Sequence, residues 1–210
     1  SNELGMLCFS SPFDETAVDF LEKLNVPAYK IASFENIHLP LIKKVAKTGK
    51  PVIISTGLAT EREIKDAVNV LKKEGCEQFA LLKCTSTYPA PPESCNILTI
   101  PELRKKFNCE VGLSDHTLGI GVALAAISHG ATIVEKHLTL DKNDSGVDSG
   151  FSINPKGLKI LVEESERTWK SLGEVAYGPT DFEKDDIIFR RSIYVVKDIN
   201  LGEKLTKENI

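Results

Sequence analysis

The chain reads VGLSDHTLGIGVALAAISHGATIVEKHLTLDKNDSGVDSGFSI from Val111 to Ile153. Two short strand-like runs in this stretch each end in a histidine, His116 or His137, and an apolar helical segment separates them. If both strands are parallel in one sheet, the crossover helix brings their C-terminal ends to the same edge. The two imidazoles then emerge side by side, and imidazole is a good ligand for first-row divalent metals. The stretch therefore predicts a parallel α/β sheet with a metal site at one edge.

The composition is that of a globular protein. The chain has 210 residues, of which 41% are hydrophobic and 27% charged, and this length buries a sizeable core. A net charge of -4 provides no basic surface for nucleic acid. No apolar run approaches the roughly 20 residues that span a bilayer, and no signal-peptide pattern is present. We therefore expect a cytoplasmic protein that binds neither nucleic acid nor membrane.

Strand-like and helical patterns alternate along the chain. Beyond the two histidine runs, apolar segments predict strands at residues 6–11, 28–35, 52–56 and 79–85. Helical patterns follow them, and the clearest begins at the capping-box pair Thr60 and Glu63. A last long amphipathic helix is predicted from Pro155 to Gly173. Strands that are continuously apolar are typical of a parallel sheet that is buried on both faces.

Every predicted strand ends in polar residues, and this placement discriminates between the two parallel-sheet folds. The ends are Ser10 and Ser11, Ser33 and Glu35, Ser55 and Thr56, Thr85 and Ser86, Ser114 to His116, and Glu135 to His137. A (β/α)8 TIM barrel gathers such ends into one ring at its C-terminal face, whereas an open sheet binds its ligand at one switch point. The barrel is therefore favoured. Six strand and helix pairs, against the eight of a complete barrel, predict that the chain is a fragment of one.

The pattern changes after the last helix. Residues 176–189 are polar and turn-rich and predict a linker. The segment RRSIYVVKDINLGEKLT, from Arg190, predicts the start of a separate small β module. We therefore expect a partial barrel domain at residues 1–175, the linker, and a truncated β domain at residues 190–210.

Residues at the predicted strand ends suit a phosphate-bearing substrate. Hydroxyl groups, the ammonium groups of Lys30 and Lys136, and the helix start at Gly119 can all bind phosphate oxygens. Glu35 and Asp148 are candidates for proton transfer or for hydroxyl recognition. Alone, these residues predict a metal-assisted enzyme that acts on a phosphorylated small molecule.

Five motifs together resemble one known family. They are AYKIASFE, PVIISTGLAT, KCTSTYPAPPE, VGLSDHTLGIGVALAA and IVEKHLTLDKN. The resemblance is to the sialic acid synthases, the phosphoenolpyruvate-dependent nonulosonate synthases, and it covers residues 4–173. The segment from Arg190 resembles the opening of that family's C-terminal antifreeze-like (SAF) domain. The resemblance implies condensation of phosphoenolpyruvate with the aldehyde of an N-acetylated hexose, which forms a nine-carbon 2-keto acid and releases phosphate.

The resemblance also implies roles for individual residues. His116 and His137 would hold a divalent ion, usually manganese, with magnesium or cobalt as alternatives. Phosphoenolpyruvate contacts would fall on Ser11, Lys30, Ser33, Ser55, Ser86 and Ser114. Glu35 would assist proton transfer, and Tyr88 and Asp148 would contact the sugar. In the family two further barrel strands precede the position of Ser1, and an arginine of the antifreeze-like domain reaches the partner's site in a domain-swapped homodimer.

Within the family, two positions favour a pseudaminic acid synthase. Phe34 stands between Ser33 and Glu35, and the acidic loop carries Val147, Asp148 and Ser149, where sialic and legionaminic acid synthases more often have glycine and a Pro-Asp-His run. An N-acetylneuraminate or legionaminate synthase is the alternative within the family. Alternatives from other classes are a metal-dependent hydrolase on the same barrel and a catalytically inactive binding fragment. A hydrolase would usually carry an HxH pair on an early strand, and no HxH occurs in the sequence.

Overall fold

The computed structural model describes residues 1–143 and 145–210, apart from the side chain of Asn2. The chain divides into two compact units, Ser1–Leu172 and Gly173–Ile210. The first unit contains a sheet of five parallel strands in the order β1-β2-β3-β4-β5. The strands are β1 (Tyr29–Ile31), β2 (Val52–Ser55), β3 (Phe79–Cys84), β4 (Glu110–Asp115) and β5 (Ile133–Lys136). Helices connect them in sequence, so each crossover leads to the adjacent strand.

Six α-helices accompany the sheet. They are α1 (Glu15–Lys23), α2 (Leu39–Ala46), α3 (Glu61–Lys73), α4 (Thr99–Phe107), α5 (Gly121–Ser128) and α6 (Pro155–Ser171). The predicted capping box of α3 is confirmed, because the Thr60 hydroxyl accepts from the Glu63 amide and the Glu63 carboxylate accepts from the Thr60 amide. No helix among the described residues is both long enough and apolar enough to cross a bilayer.

The sheet is curled, and one ion pair shows how strongly. The Lys30 Nζ on β1 lies 3.3 Å from the Glu135 Oε2 on β5. In a flat sheet, four strand spacings would separate the backbones of these strands by roughly 19 Å. The two side chains therefore meet only because β1 and β5 bend toward each other across a concave face. Sequential strand order without a reversal, together with this curl, is that of a half-barrel.

The hydrophobic core lies between the convex face of the sheet and the helices. Every second residue of a strand faces the helices, and the buried ones are Tyr29, Ile31, Val52, Ile54, Leu81, Val111 and Leu113. They pack against helix residues such as Leu41, Leu71 and Ile100, each of which is completely buried. The opposite residues of every strand are directed into the concave face, because successive side chains of a strand point to opposite sides. The core thus holds the strands so that their alternate side chains line the concavity.

The prediction of a buried first strand at residues 6–11 is wrong. Only Ser10 pairs with the sheet, through a single parallel bridge to Tyr29, and Met6 and Leu7 are 59% and 78% exposed. Within the described residues this segment has β1 alone as a neighbour and no helix covers its outer side, so its apolar side chains remain in water. The sheet accordingly has five strands where the sequence predicted six.

The second unit does not show the predicted β module. It contains two short 3-10 helices, Asp181–Glu183 and Asp185–Phe189, and no strand between Gly173 and Ile210. One long-range backbone bond, from the Val196 amide to the Asn209 carbonyl, closes the C-terminal loop at 3.0 Å. Two strands without further partners are marginal in water. The antifreeze-like assignment and its boundaries stay a prediction.

Candidate active site

The two histidines lie side by side at the C-terminal edge of the sheet. His116 directly follows β4 and His137 directly follows β5. These strands are hydrogen-bonded neighbours, with Ser114 opposite Glu135 and Asp115 opposite Lys136. The two imidazole centroids are 5.2 Å apart, with the ring planes inclined by 62°. The juxtaposition predicted from the sequence is therefore observed.

Each imidazole is held through its Nδ1 atom. The His116 Nδ1 lies 2.9 Å from the carbonyl oxygen of Thr85, and the His137 Nδ1 lies 3.2 Å from the Asp148 Oδ2. The described residues offer no hydrogen-bond partner to either Nε2. An oxygen acceptor on one ring nitrogen fixes the tautomer that leaves the other nitrogen able to bind a metal.

The two histidines differ in how readily they take up a proton. Burial lowers the pKa of His116, but hydrogen bonds to Cys84 and to the Thr85 carbonyl outweigh it and leave that pKa raised. Burial also lowers the pKa of His137, and the neighbouring charge of His116 lowers it further. His137 is therefore held in its neutral, metal-binding form over the wider pH range.

The donor set fits a divalent ion in an open site. No group of three or more His, Cys, Asp or Glu side chains is arranged around one point among the described residues. The two available nitrogens alone do not close a coordination sphere, and the remaining positions would belong to oxygens of water or substrate. Open positions of this kind distinguish catalytic metal sites from structural ones.

An aromatic pair stands beside the histidines. The Tyr88 ring centroid lies 4.3 Å from that of His116, and the Phe151 ring centroid lies 5.0 Å from that of His137. Phe151 is buried, whereas Tyr88 is 45% exposed. Sequence reasoning missed Phe151, although the return of an apolar run at FSI after the acidic loop was a signal that the chain re-enters the fold.

A charged network crosses the concave face next to the histidines. Lys30 is buried and lies 3.3 Å from the Glu135 Oε2, while the Ser114 hydroxyl donates to the Glu135 Oε1 at 2.6 Å. Glu135 was noted in the sequence only as a neighbour of His137, and its position on this face assigns it to the site. The ammonium group, the carboxylate and the hydroxyl together form a charge-balanced, hydrogen-bonding surface.

Three small residues form a cradle on the same side. The Gly57 amide donates to the Ser33 hydroxyl at 3.1 Å. A Cβ atom on Gly57 would overlap the Ser86 hydroxyl and lie 2.6 Å from that of Ser33. The two hydroxyls therefore converge where only glycine leaves room for them. The Ser55 hydroxyl is buried without a hydrogen-bond partner among the described residues, so it is available to a ligand.

The remaining predicted residues lie around this centre. β1 ends at Ile31, and Ser33 and Glu35 belong to the 3-10 turn that follows it. In a continuous strand Lys30 and Ser33 would point to opposite faces. Because the strand ends between them, both can face the site. The Glu35 Oε2 is buried and has no partner among the described residues. Ser11 is half-buried and follows the bridge residue Ser10 at the edge of β1.

Two further residues lie close to the histidines. Cys84 is buried, and its Sγ lies 3.9 Å from the His116 Nδ1 and 3.7 Å from the Ser86 hydroxyl. Burial raises the pKa of this thiol, yet hydrogen bonds from its neighbours outweigh burial and bring the pKa to about 7. The prediction that Lys136 faces a phosphate is wrong, because its ammonium group pairs with Asp115 at 2.8 Å on the convex side.

A curled parallel sheet with two imidazoles, a lysine and converging hydroxyls at its C-terminal edge defines a barrel-type α/β protein with a polar ligand site. The NeuB family matches residues 1–177, and the chain belongs to that family. It is 42% identical over 212 residues to a pseudaminic acid synthase of Helicobacter pylori, a match that covers 100% of the chain and 62% of the relative. It is also 42% identical to an N,N'-diacetyllegionaminic acid synthase of Campylobacter jejuni, with 96% of the chain and 61% of the relative covered.

A solved structure shares the fold. The crystal structure of an N-acetylneuraminic acid synthetase from Leptospira borgpetersenii superposes with a TM-score of 0.83 at 37% identity. That match covers 90% of the chain and 66% of the other protein. The chain thus spans about three fifths of the length of the curated relatives named above.

Proposed function

We propose that the chain is the catalytic part of a nonulosonate synthase. In this reaction the enol carbon of phosphoenolpyruvate bonds to the aldehyde carbon of an N-acetylated hexose, water adds at C2 and phosphate leaves. The observation that carries the proposal is the pair of imidazoles 5.2 Å apart, beside a buried lysine that crosses the concave face. Membership of the NeuB family and the names of the relatives support it.

The polar concave face would bind phosphoenolpyruvate. Its phosphate and carboxylate need cationic and hydroxyl donors in a confined space. We assign these contacts to Ser11, Lys30, Ser33, Ser55, Ser86 and Ser114. The bare backbone at Gly57 lets an anion approach the hydroxyls of the cradle closely. Lys30 would exchange its Glu135 partner for the anionic substrate, which releases the carboxylate for a hydroxyl group of the sugar.

His116 and His137 would hold the divalent ion through their Nε2 atoms. We propose manganese, with magnesium or cobalt as alternatives, since imidazole and oxygen ligands suit such ions. When bound, the ion would polarise the aldehyde carbonyl as a Lewis acid. The Thr85 carbonyl and the Asp148 carboxylate orient the two rings for this role. Glu35, with a buried unpartnered oxygen, would accept or deliver the proton.

The sugar proposed is 2,4-diacetamido-2,4,6-trideoxy-altrose, with pseudaminic acid as the product. Equal identities of 42% to a pseudaminic and a legionaminic acid synthase do not discriminate between the two products. The proposal rests on the residue types at Phe34 and Val147, where sialic and legionaminic acid synthases more often have glycine and proline, and both side chains are exposed. Tyr88, Phe151 and Asp148 would line the sugar side, because they surround the histidine pair.

The test is phosphate release from phosphoenolpyruvate with Mn²⁺, measured on a protein that contains this chain. Three aldehydes are compared: the altrose sugar, N-acetylmannosamine and the aldehyde precursor of legionaminic acid. We expect release with the altrose sugar, and His137→Ala serves as the inactive control. Release with only one of the other sugars would reassign the product, and release with none of them would contradict the synthase.

A further inference from the structure

A second ion pair joins the two histidine strands from the opposite side of the sheet. The Lys136 Nζ lies 2.8 Å from the Asp115 Oδ2. The two residues are register partners at the last rung between β4 and β5. Their side chains are only 4% and 1% exposed. Neither group reaches the concave face where substrate would bind.

This one ammonium group contacts both neighbours of His116. Besides Asp115, the Lys136 Nζ donates to the carbonyl oxygen of Thr117 at 2.7 Å. The Asp115 Oδ1 accepts from the Thr117 amide at 2.9 Å, which closes a turn around His116. Lys136 is itself bonded directly to His137 in the chain. The backbones that carry the two imidazoles are therefore linked through a single buried cation.

Stability alone does not account for such a pair. Burying two charges costs several kcal/mol of desolvation each, and apolar residues of similar volume usually serve a fold as well or better. A buried ion pair does fix geometry, since each partner is confined to one arrangement. Each member of this pair stands one residue before a histidine. Fixing the pair therefore fixes the spacing of the two imidazoles.

We propose that Asp115 and Lys136 are positioning residues that set the distance and orientation between His116 and His137. The inference rests on the proposed role of the histidines as metal ligands and adds to it the residues that hold them in place. Neither residue touches substrate or metal, and both act through the backbone of the histidine that follows them.

The chain offers a matched control at the other end of the same strands. Arg104, Glu110 and Thr132 link the N-terminal ends of β4 and β5, with the Arg104 Nη2 3.1 Å from the Glu110 Oε2 and the Thr132 hydroxyl 2.7 Å from the same oxygen. This network lies at the ends of β4 and β5 that are farthest from the two histidines. Arg104→Met with Glu110→Gln removes its charges and leaves the site intact.

The test uses the double variant Asp115→Asn, Lys136→Met. Asparagine keeps the acceptor for the Thr117 amide, and methionine matches the volume of the lysine stem. Because both charges are removed together, no buried charge is left unpaired. We expect the Mn²⁺ dissociation constant to rise about tenfold or more, as for other outer-shell changes. In the metal-free protein, we expect altered side-chain nitrogen and ring-proton resonances of both histidines. Arg104→Met, Glu110→Gln should change the Mn²⁺ dissociation constant less than twofold.

A second variant tests the positioning role if the double variant does not fold. Asp115→Glu keeps both charges but adds one methylene to a side chain that is 1% exposed, so it should weaken Mn²⁺ binding severalfold and lower the melting temperature without unfolding the protein. Wild-type Mn²⁺ affinity and unchanged histidine resonances in either folded variant would overturn the positioning role. A wild-type protein that binds no Mn²⁺ would contradict the proposed function instead, and the metal-free resonances would still report on Asp115 and Lys136.

Discussion

The two ends of the β4–β5 pair carry similar polar links in different surroundings. At the N-terminal end, the side chains of Arg104 and Glu110 are 40% and 59% exposed. At the C-terminal end, the side chains of Lys136 and Asp115 are 4% and 1% exposed. A solvated pair contributes little to stability and tolerates change, whereas a buried pair confines the residues bonded to it. The exposed end therefore tolerates substitution, whereas the buried end is where the proposed positioning of the two histidines would act.

The largest effect is expected from His116→Ala at the C-terminal end. Removing one of two proposed ligands should lower turnover about 1000-fold, which corresponds to about 4 kcal/mol of transition-state stabilisation. The melting temperature should also fall, because the His116 side chain is buried and hydrogen-bonded to the Thr85 carbonyl, so turnover is compared per folded molecule. Turnover and Mn²⁺ binding are the measurements. Retained Mn²⁺ binding would remove His116 from the metal site.

A cavity in the core, away from the concave face, should affect stability and leave turnover unchanged. Leu81 on β3 is completely buried against the helices, and Leu81→Ala should cost about 3 kcal/mol of the free energy of unfolding. Urea unfolding measures this loss. Turnover per folded molecule should stay within twofold of wild type. A large loss of turnover in the folded protein would show that the core and the C-terminal end are coupled more tightly than the comparison implies.

A smaller effect, confined to the site, is expected from Gly57→Ala. The new methyl group would displace the hydroxyls of Ser33 and Ser86, which are side-chain ends able to rotate away. The KM for phosphoenolpyruvate should rise about tenfold, or about 1.4 kcal/mol, with the KM for the sugar unchanged. Steady-state kinetics with each substrate varied in turn separates the two. An unchanged KM for phosphoenolpyruvate would exclude the cradle as its binding site.

The smallest effect belongs to the N-terminal end and depends on pH. Hydrogen bonds from Thr132 and Arg104 lower the pKa of Glu110 below its ordinary value of 4.5. A lowered folded-state pKa stabilises the protein above pH 4.5, and this contribution is lost as the pH falls through the folded-state value. The stability difference between wild type and Glu110→Gln should therefore stay constant above pH 4.5, below about 1 kcal/mol, and shrink in more acidic solution. Thermal unfolding across this range measures it, and a difference that grows on acidification would refute the assignment.

Patterns local to the chain predicted most of the fold. The capping box at Thr60, five of the six apolar strand runs and the two strand-terminal histidines depend on neighbours a few residues away, and the structure contains them. The juxtaposition of His116 and His137 also followed from sequence, because crossover geometry leaves parallel strand ends at one edge. The ligand and substrate roles of the site residues remain predictions.

Features that depend on distant partners could not be predicted in this way. Residues 6–11 have the composition of a buried strand, but burial requires neighbours on both sides, and only Tyr29 bridges to this segment. Lys136 was assigned to a phosphate because it stands at a strand end, and the error was one of parity, since adjacent strand residues face opposite sides. Phe151 reaches the histidines through a long loop whose path no local pattern specifies.

The closure of that loop has a consequence for how related proteins could diverge. The Ile153 amide donates to the His137 carbonyl at 2.8 Å, and the Thr139 amide donates to the Ile153 carbonyl at 2.9 Å. The intervening segment is thus fastened at both ends to the same point of the framework. Apart from Asp148 and Phe151, which contact the His137 ring, residues of this segment can be exchanged while the sheet holds the His137 backbone in place. Under the proposed function, new sugar preferences could therefore arise without rebuilding the edge that carries the two histidines.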